Sequence, residues 1–469
     1  AKSLSLSHGL ADLNDPTFLQ QMKVKHGVAS VPVASSLAAC GPAGSADVQM
    51  PSIMEAMRVL RKNKHPGPGG FRNEFMNVLA DESAGEYDRL KNGLDAFAKL
   101  YVQADLPDWY YLIATAVDLF GVFTNGQRVK ARPIAVGTSL RRLINKVQVE
   151  SLREPLREQM FPVQIAVGTP SGAGILVTAV REAWQVHPNF VCVGLDIANC
   201  HNAGEREKIL QNIANNPDSR CASLVQVLWA QYRHASGVLI DGLQSLYSQR
   251  GGHQGDPLMN PGMALALLPH AKWLQAQLQA SEGFVMAQSD DHWVFGDPAI
   301  LFDTPAGQGL LSRFTDRVET DLGLLMNRSK FVVGVSDLAH DTPLRHSVDA
   351  NGLPWAMPLG GVVINNTFHP GIVVSGVPIG DTQFVRYKLG EVVQRLVSDN
   401  NNLVNTLQNV APQYLSCIQY YCCNSQFNHW LQYCYPADVY ATVQPLQDSL
   451  DAMFAAGSGF PSWRIQFTS

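Results

Sequence analysis

The chain is short of charge. Of its 469 residues only 16% are Asp, Glu, Lys or Arg, against the ~25% usual for a globular protein, and the formal net charge is −5. A protein that lives on nucleic-acid phosphates is usually basic, so this balance disfavours a generally cationic surface. No apolar run is long enough to span a bilayer, and no partner membrane is expected. The glycine-rich fingerprints of dinucleotide and P-loop sites are absent, as are internal repeats and low-complexity tracts. The eight cysteines follow no pairing pattern, which suits a reducing, intracellular compartment. Cys422, Cys423, His429 and Cys434 have no standard zinc spacing and sit in an aromatic stretch, so they read as core. No cleavable signal is expected at Ala1.

What the chain does have is 46% hydrophobic residues and a length suited to two or three subdomains. It also has clustered acids. Asp290 and Asp291 stand side by side between the apolar runs of Gly283–Gly296, which reads as a tight hairpin with two carboxylates at its tip. Asp196 ends another apolar run, Phe190–Asp196. Three carboxylates on converging strand ends suit two divalent metals about 3.5–4 Å apart, the usual device for nucleotidyl transfer. Between them lies Arg250-Gly-Gly-His-Gln-Gly-Asp-Pro-Leu-Met-Asn-Pro261. Its glycines allow close backbone approach to a ligand. Asp256 can cap a helix with Pro257 at its first position, continuing as the buried run Leu258 to Leu268.

In this order the motifs resemble those of the reverse transcriptases of non-LTR retrotransposons. Leu195-Asp-Ile-Ala-Asn-Cys-His-Asn202 is similar to the first acidic motif, Gly252-His-Gln-Gly-Asp-Pro-Leu258 to the Gln-Gly-Asp-Pro-Leu motif, and Ala287-Gln-Ser-Asp-Asp291 to the Asp-Asp hairpin. Leu322-Gly-Leu-Leu-Met-Asn-Arg-Ser-Lys330 follows as a Gly-Leu-x-x-Asn-x-x-Lys motif. Upstream, Lys130-Ala-Arg-Pro-Ile134 with Leu140–Lys146 resembles the fingers motif Arg-Pro-Ile and its following helix, and His65-Pro-Gly-Pro-Gly-Gly70 resembles the Pro-Gly-Pro-Asp-Gly entry motif. Val167–Ala173 and Gly371–Pro378 resemble most the site-specific elements of trypanosomes and their algal relatives. The resemblance covers roughly residues 50–450.

It implies an α+β right-hand polymerase fold: an N-terminal extension (1–49), fingers (50–189), palm (190–397) and thumb (398–469). It also implies RNA-templated nucleotidyl transfer with two Mg²⁺ ions on Asp196, Asp290 and Asp291. Lys130, Arg132 and Lys330 would neutralise the incoming nucleotide triphosphate, with His201, Gln254 and Gly255 lining the substrate. The partners implied are RNA, DNA or both. The compartment would be the nucleus for a mobile element and an organelle such as the mitochondrion for a domesticated one. Two departures matter: His201 stands where the family has an aromatic gate against a 2′-hydroxyl, and Gln288 where it has tyrosine. With the low charge, they open a second reading: a domesticated, inactive structural subunit of a large ribonucleoprotein such as a ribosome. In that case other protein subunits would bury the surface, with help from residues 1–49.

Several local readings complete the sequence picture. Arg58–Lys64, Arg128–Arg132 and Arg141-Arg142 with Lys146 form basic stretches. Residues 92–118, 138–160 and 205–234 read as helical, and Ser398-Asp-Asn-Asn-Asn402 as a loop between palm and thumb. Leu310, Leu311, Phe314, Val318 and Leu322 form one helical stripe that Gly323 ends.

Overall fold

The computed structural model describes residues 15–30, 32–33, 51–83, 85–123, 131–240, 242–303, 307–336 and 358–458. It is mixed α/β, 55% helix and 16% strand. Its strands are β1 (Val117–Phe123), β2 (Ala131–Gly137), β3 (Val191–Leu195), β4 (Ser236–Ile240), β5 (Leu243–Ser248), β6 (Phe284–Gln288), β7 (Asp291–Gly296), β8 (Val332–Gly334), β9 (Gly361–Ile364), β10 (Thr367–Val374) and β11 (Val377–Gly380). Among the described residues no helix is long and apolar enough to cross a membrane. Contacts divide the chain into two compact units, each built from separate stretches.

The first unit comprises Ala1–Pro170, Leu195–Trp293 and Gln308–Arg328. It carries a four-stranded sheet in the order β2-β1-β4-β5, with β1 antiparallel to β2 and parallel to β4. Residues 15–30 of the N-terminal segment pack on this sheet. Asp15 accepts a hydrogen bond from Thr17 N and Pro16 fills the first turn, which starts a helix over Pro16–Lys25. Phe18 and Met22, four apart, share one face of it. Both are buried in one cluster with Val117, Leu119, Ala135, Val238, Ile240 and Leu246 of the sheet. Each such burial stabilises by about 1.5–3 kcal/mol, so this helix belongs to the core of its unit. The helix Leu310–Leu322 buries the expected stripe, and Gly323 ends it at φ 63°.

The second unit comprises Ser171–Gly194, Val294–Gly307 and Ser329–Ser469. Here β3 is antiparallel to β8, and β11-β10-β9 form a three-stranded antiparallel sheet. One helix, Thr382–Leu407, is capped by Asp381 and runs through Ser398–Asn402, so that polar run is not a loop. Asn400 explains why: it is fully buried, with Nδ2 bonded to Ser449 Oγ at 3.0 Å. A second small cluster, Leu415, Cys423 and Met453, packs with Leu403, Val404 and Leu407 of the same long helix.

Candidate active site

The acid hairpin is present: β6 and β7 are neighbours joined by a turn of Ser289 and Asp290, with Ser289 at φ 64°. Gln164 braces it from outside. Its amide donates to Ser289 O and accepts from Ser289 N, both at 3.0 Å, and it is 2% exposed. Ser289 Oγ reaches Asn260 Oδ1 at 2.5 Å, tying the turn to the helix Met259–Leu278. Both backbone bonds beside the turn are made to the segment 163–165, Ala287 N to Val163 O at 2.6 Å and Ile165 N to Ala287 O at 2.8 Å. A turn held at so many points presents Asp290 and Asp291 in a fixed direction. His292 is buried against Phe314, its Nδ1 2.9 Å from Asp290 O, and is a packing residue.

Asp196 directly follows β3 and is held by Asn327, which donates its backbone N–H to Asp196 O at 2.8 Å and its Nδ2 to Asp196 Oδ2 at 2.7 Å. The apolar chain pairs here too, at Ile197 with Met326. One carboxylate oxygen is thereby oriented by an amide.

In the sheet order β6-β7-β3-β8, β7, which begins at Asp291, lies beside β3, which Asp196 follows, and the charges of all three acids act on one neighbour. The Cys200 thiol is fully buried, and its pKa is raised well above the ordinary value, first by burial and then by the charges of Asp290, Asp196 and Asp291. Like-charged groups crowd one another unless a cation lies between them. In this arrangement no three His, Cys, Asp or Glu side chains among the described residues stand within one metal's reach. The donor chemistry, carboxylate oxygen, is that of Mg²⁺.

The substrate-lining candidates fall as follows. Arg132 is exposed on β2, opposite Val122. Lys130 lies outside the described residues. Lys330 is exposed on the short turn Arg328–Lys330, in the second unit. His201 is half-buried in the turn of helix Cys200–Ala203. Gln254 is half-buried, and its carbonyl accepts from Ala135 N at 2.9 Å. The glycines expected to admit a ligand instead admit the chain itself. A Cβ on Gly251, at φ 50°, would stand 2.2 Å from His201 O, and one on Gly255, at φ 118°, 2.7 Å from Ala135 O. They let the Gly251–Asp256 turn lie flat on the first acidic motif and on β2.

Asp256 also departs from expectation. The helix starts at Met259, two residues later than a cap at Asp256 requires. Asp256 does accept from Leu258 N at 3.0 Å, but its carboxylate is 3% exposed and occupied by Arg141, Asn145 (2.9 Å) and the Tyr232 hydroxyl (2.6 Å). Arg141 is thus no surface cation; it is 2% exposed and also reaches Gln231 Oε1 at 2.9 Å. Burial alone would lower its pKa, and Asp256 and Tyr232 raise it overall. Arg206, also buried, donates to the carbonyls of Gly251, Tyr232, His234 and Ser248 at 2.7–2.9 Å, which pins the same turn. Burial lowers its pKa to about 10.

The N-terminal segment passes the first acidic motif as well. Asn199 Nδ2 donates to Lys25 O at 2.9 Å and Ser30 Oγ to Glu205 at 2.6 Å. His26 is buried beside Arg206, with its pKa lowered to about 4 by burial, Arg206 and Lys25.

Asn327, Gln164 and Arg206 are the positioning residues that sequence reasoning passed over. Asn327 lies within a quoted motif and could have been found there; a lone glutamine and a lone arginine give no such signal. No protein-family model matches the chain, and no curated protein matches it.

Proposed function

We propose that the chain is a reverse-transcriptase-like protein with a right-hand polymerase fold, whose acid cluster serves RNA-templated nucleotidyl transfer. The observation that carries this reading is the sheet order β6-β7-β3-β8, which sets the hairpin bearing Asp290 and Asp291 beside the strand that Asp196 follows. In this reading Asp196, Asp290 and Asp291 would supply the carboxylate ligands for two Mg²⁺ ions. When bound, such ions activate the primer 3′-hydroxyl and neutralise charge on the phosphates in transfer. The chain's own residues do the positioning. Asn327 fixes the oxygen of Asp196, and Gln164 with Asn260 fixes the Ser289–Asp290 turn. Arg132 supplies a guanidinium for the triphosphate. His201 lines the sugar. The test is primer extension on an RNA template with Mg²⁺ or Mn²⁺: the wild-type chain extends, and Asp290→Asn abolishes extension. Extension that survives Asp290→Asn removes this reading.

A second reading, a structural subunit of a ribonucleoprotein such as a ribosome, is favoured by the low charge and by His201 and Gln288 at the two positions where the family has aromatic residues. Native purification separates the two. A free protein that extends a primer excludes the subunit reading, and recovery only within an assembly, without extension, excludes the polymerase.

A further inference from the structure

Between Arg395 and Arg464 the sequence contains no lysine or arginine. Within that stretch Gln413–Ile418 is α-helical and continues as a π-turn over Gln419–Cys423, closed by Asn424 N bonding to Gln419 O at 3.0 Å. Its inner side is Leu415 and Cys423. Its outer side is aromatic: Tyr414, Tyr420 and Tyr421 are exposed, the last two 71% and 77%, with their rings 4.9 Å apart and edge to face. Asp399 acts on Cys423 from the neighbouring helix, and Asp448 and Asp451 lie on the helix Gln444–Ser458 that packs against this one. This is a tyrosine surface in a stretch that carries carboxylates and, among its described residues 396–458, no lysine or arginine. It is ill-suited to a nucleic-acid backbone, whose affinity comes from lysine and arginine. Tyrosine is, however, among the side chains that carry most binding energy in protein interfaces.

The first unit has the complementary surface. Arg61, Lys62, Lys64 and Arg72 are all exposed, and Phe71 and Phe75 lie among them, 42% and 55% exposed with rings 5.9 Å apart. Cations over tyrosine faces attract, and more so once desolvated. We infer that the occupant of the tyrosine surface is the basic, phenylalanine-bearing surface of a second copy of this chain. Each copy contributes a different patch, so the contact is heterologous and leaves a free patch at each end unless the assembly closes into a ring. The inference is independent of whether the acid cluster is active.

The test uses the full chain in sedimentation velocity. Wild type self-associates, and raising salt weakens the association. Tyr420→Ser/Tyr421→Ser weakens it about tenfold or more, as does Arg61→Glu/Lys62→Glu/Lys64→Glu. Tyr420→Phe/Tyr421→Phe, which keeps both rings, retains it. All these residues are exposed, so circular dichroism of each variant should match wild type. An equimolar mixture of the Ser and Glu variants should form a one-to-one dimer and nothing larger, since each keeps one intact patch. A wild type that stays monomeric at the highest attainable concentration overturns the inference, whether or not it binds single-stranded RNA through Arg61 to Arg72. So does an oligomer that either variant leaves unchanged, or a mixture that fails to pair.

Discussion

Replacing Asp256 by alanine should unfold the turn that the acid site rests on. The carboxylate is buried and holds Arg141, Asn145 and Tyr232 together. Its removal strands the Arg141 guanidinium, 2% exposed, without a counter-charge. Breaking one side of a buried pair costs about 3–5 kcal/mol, and losing the acceptor for Leu258 N about 1 kcal/mol more. The sum, about 4–6 kcal/mol, is a large part of the ~5–15 kcal/mol that holds a typical domain folded. Because the chain forms two units, a single global midpoint would mix them. Hydrogen exchange of the helix Met259–Leu278, read by mass spectrometry, isolates the relevant one. Its slowest amides should lose most of their protection in Asp256→Ala. Arg141→Met/Asp256→Leu should lose far less, since the charge and its partner leave together. A loss below about 1 kcal/mol in Asp256→Ala, the size of an ordinary surface substitution, would refute the claim that this network holds the turn.

Acid should weaken the first unit well above the range of its carboxylates. His26 and His270 are both held near pKa 4 by burial against an ordinary 6.5. The folded form is neutral while the unfolded form takes up the proton, so the stabilisation is complete above pH 6.5 and is lost as pH falls towards 4. The loss between pH 7 and 5 is about 2 kcal/mol per histidine, and an unfolding free energy equal at both values would contradict it. Gly251→Ala should destabilise the same turn, because its Cβ meets His201 O at 2.2 Å and its φ is 50°; thermal melting at the wild-type temperature would show that the turn has room to shift. In primer extension, wild type should prefer deoxynucleotides less than His201→Phe does, since imidazole is smaller than phenyl and can donate to a 2′-hydroxyl. Equal discrimination would remove His201 from the sugar site.

The acid hairpin was legible in the sequence because short apolar runs on both sides of Asp290 and Asp291 leave few other conformations for that stretch. The stripe ending at Gly323 was legible for the same reason. Long-range polar partners were not. Nothing local in Arg141 distinguishes a solvated cation from one that meets Asp256 across more than a hundred residues. Asparagine runs usually mark turns, and Asn400 departs from that rule because it sits buried inside a helix with its amide nitrogen bonded to Ser449. Glycines in the Gly251–Gly255 turn announced a close approach correctly, but sequence could not say that the approaching group is the chain's own backbone. The N-terminal helix shows weak amphipathic patterning, and only Phe18 and Met22 commit it to the core.

If Asp196, Asp290 and Asp291 hold metal ions together, counting bound ions shows it most directly. Mn²⁺ electron paramagnetic resonance on the full chain, with an RNA template, a primer ending in a 3′-deoxy sugar and a nucleotide triphosphate present, reports ions held by protein without requiring turnover. Two protein-dependent Mn²⁺ ions per chain are expected, with binding weakened by Asp196→Asn and by Asp290→Asn alike. No Mn²⁺ beyond that bound by the nucleotide and nucleic acid alone, or a count that neither substitution changes, would contradict it.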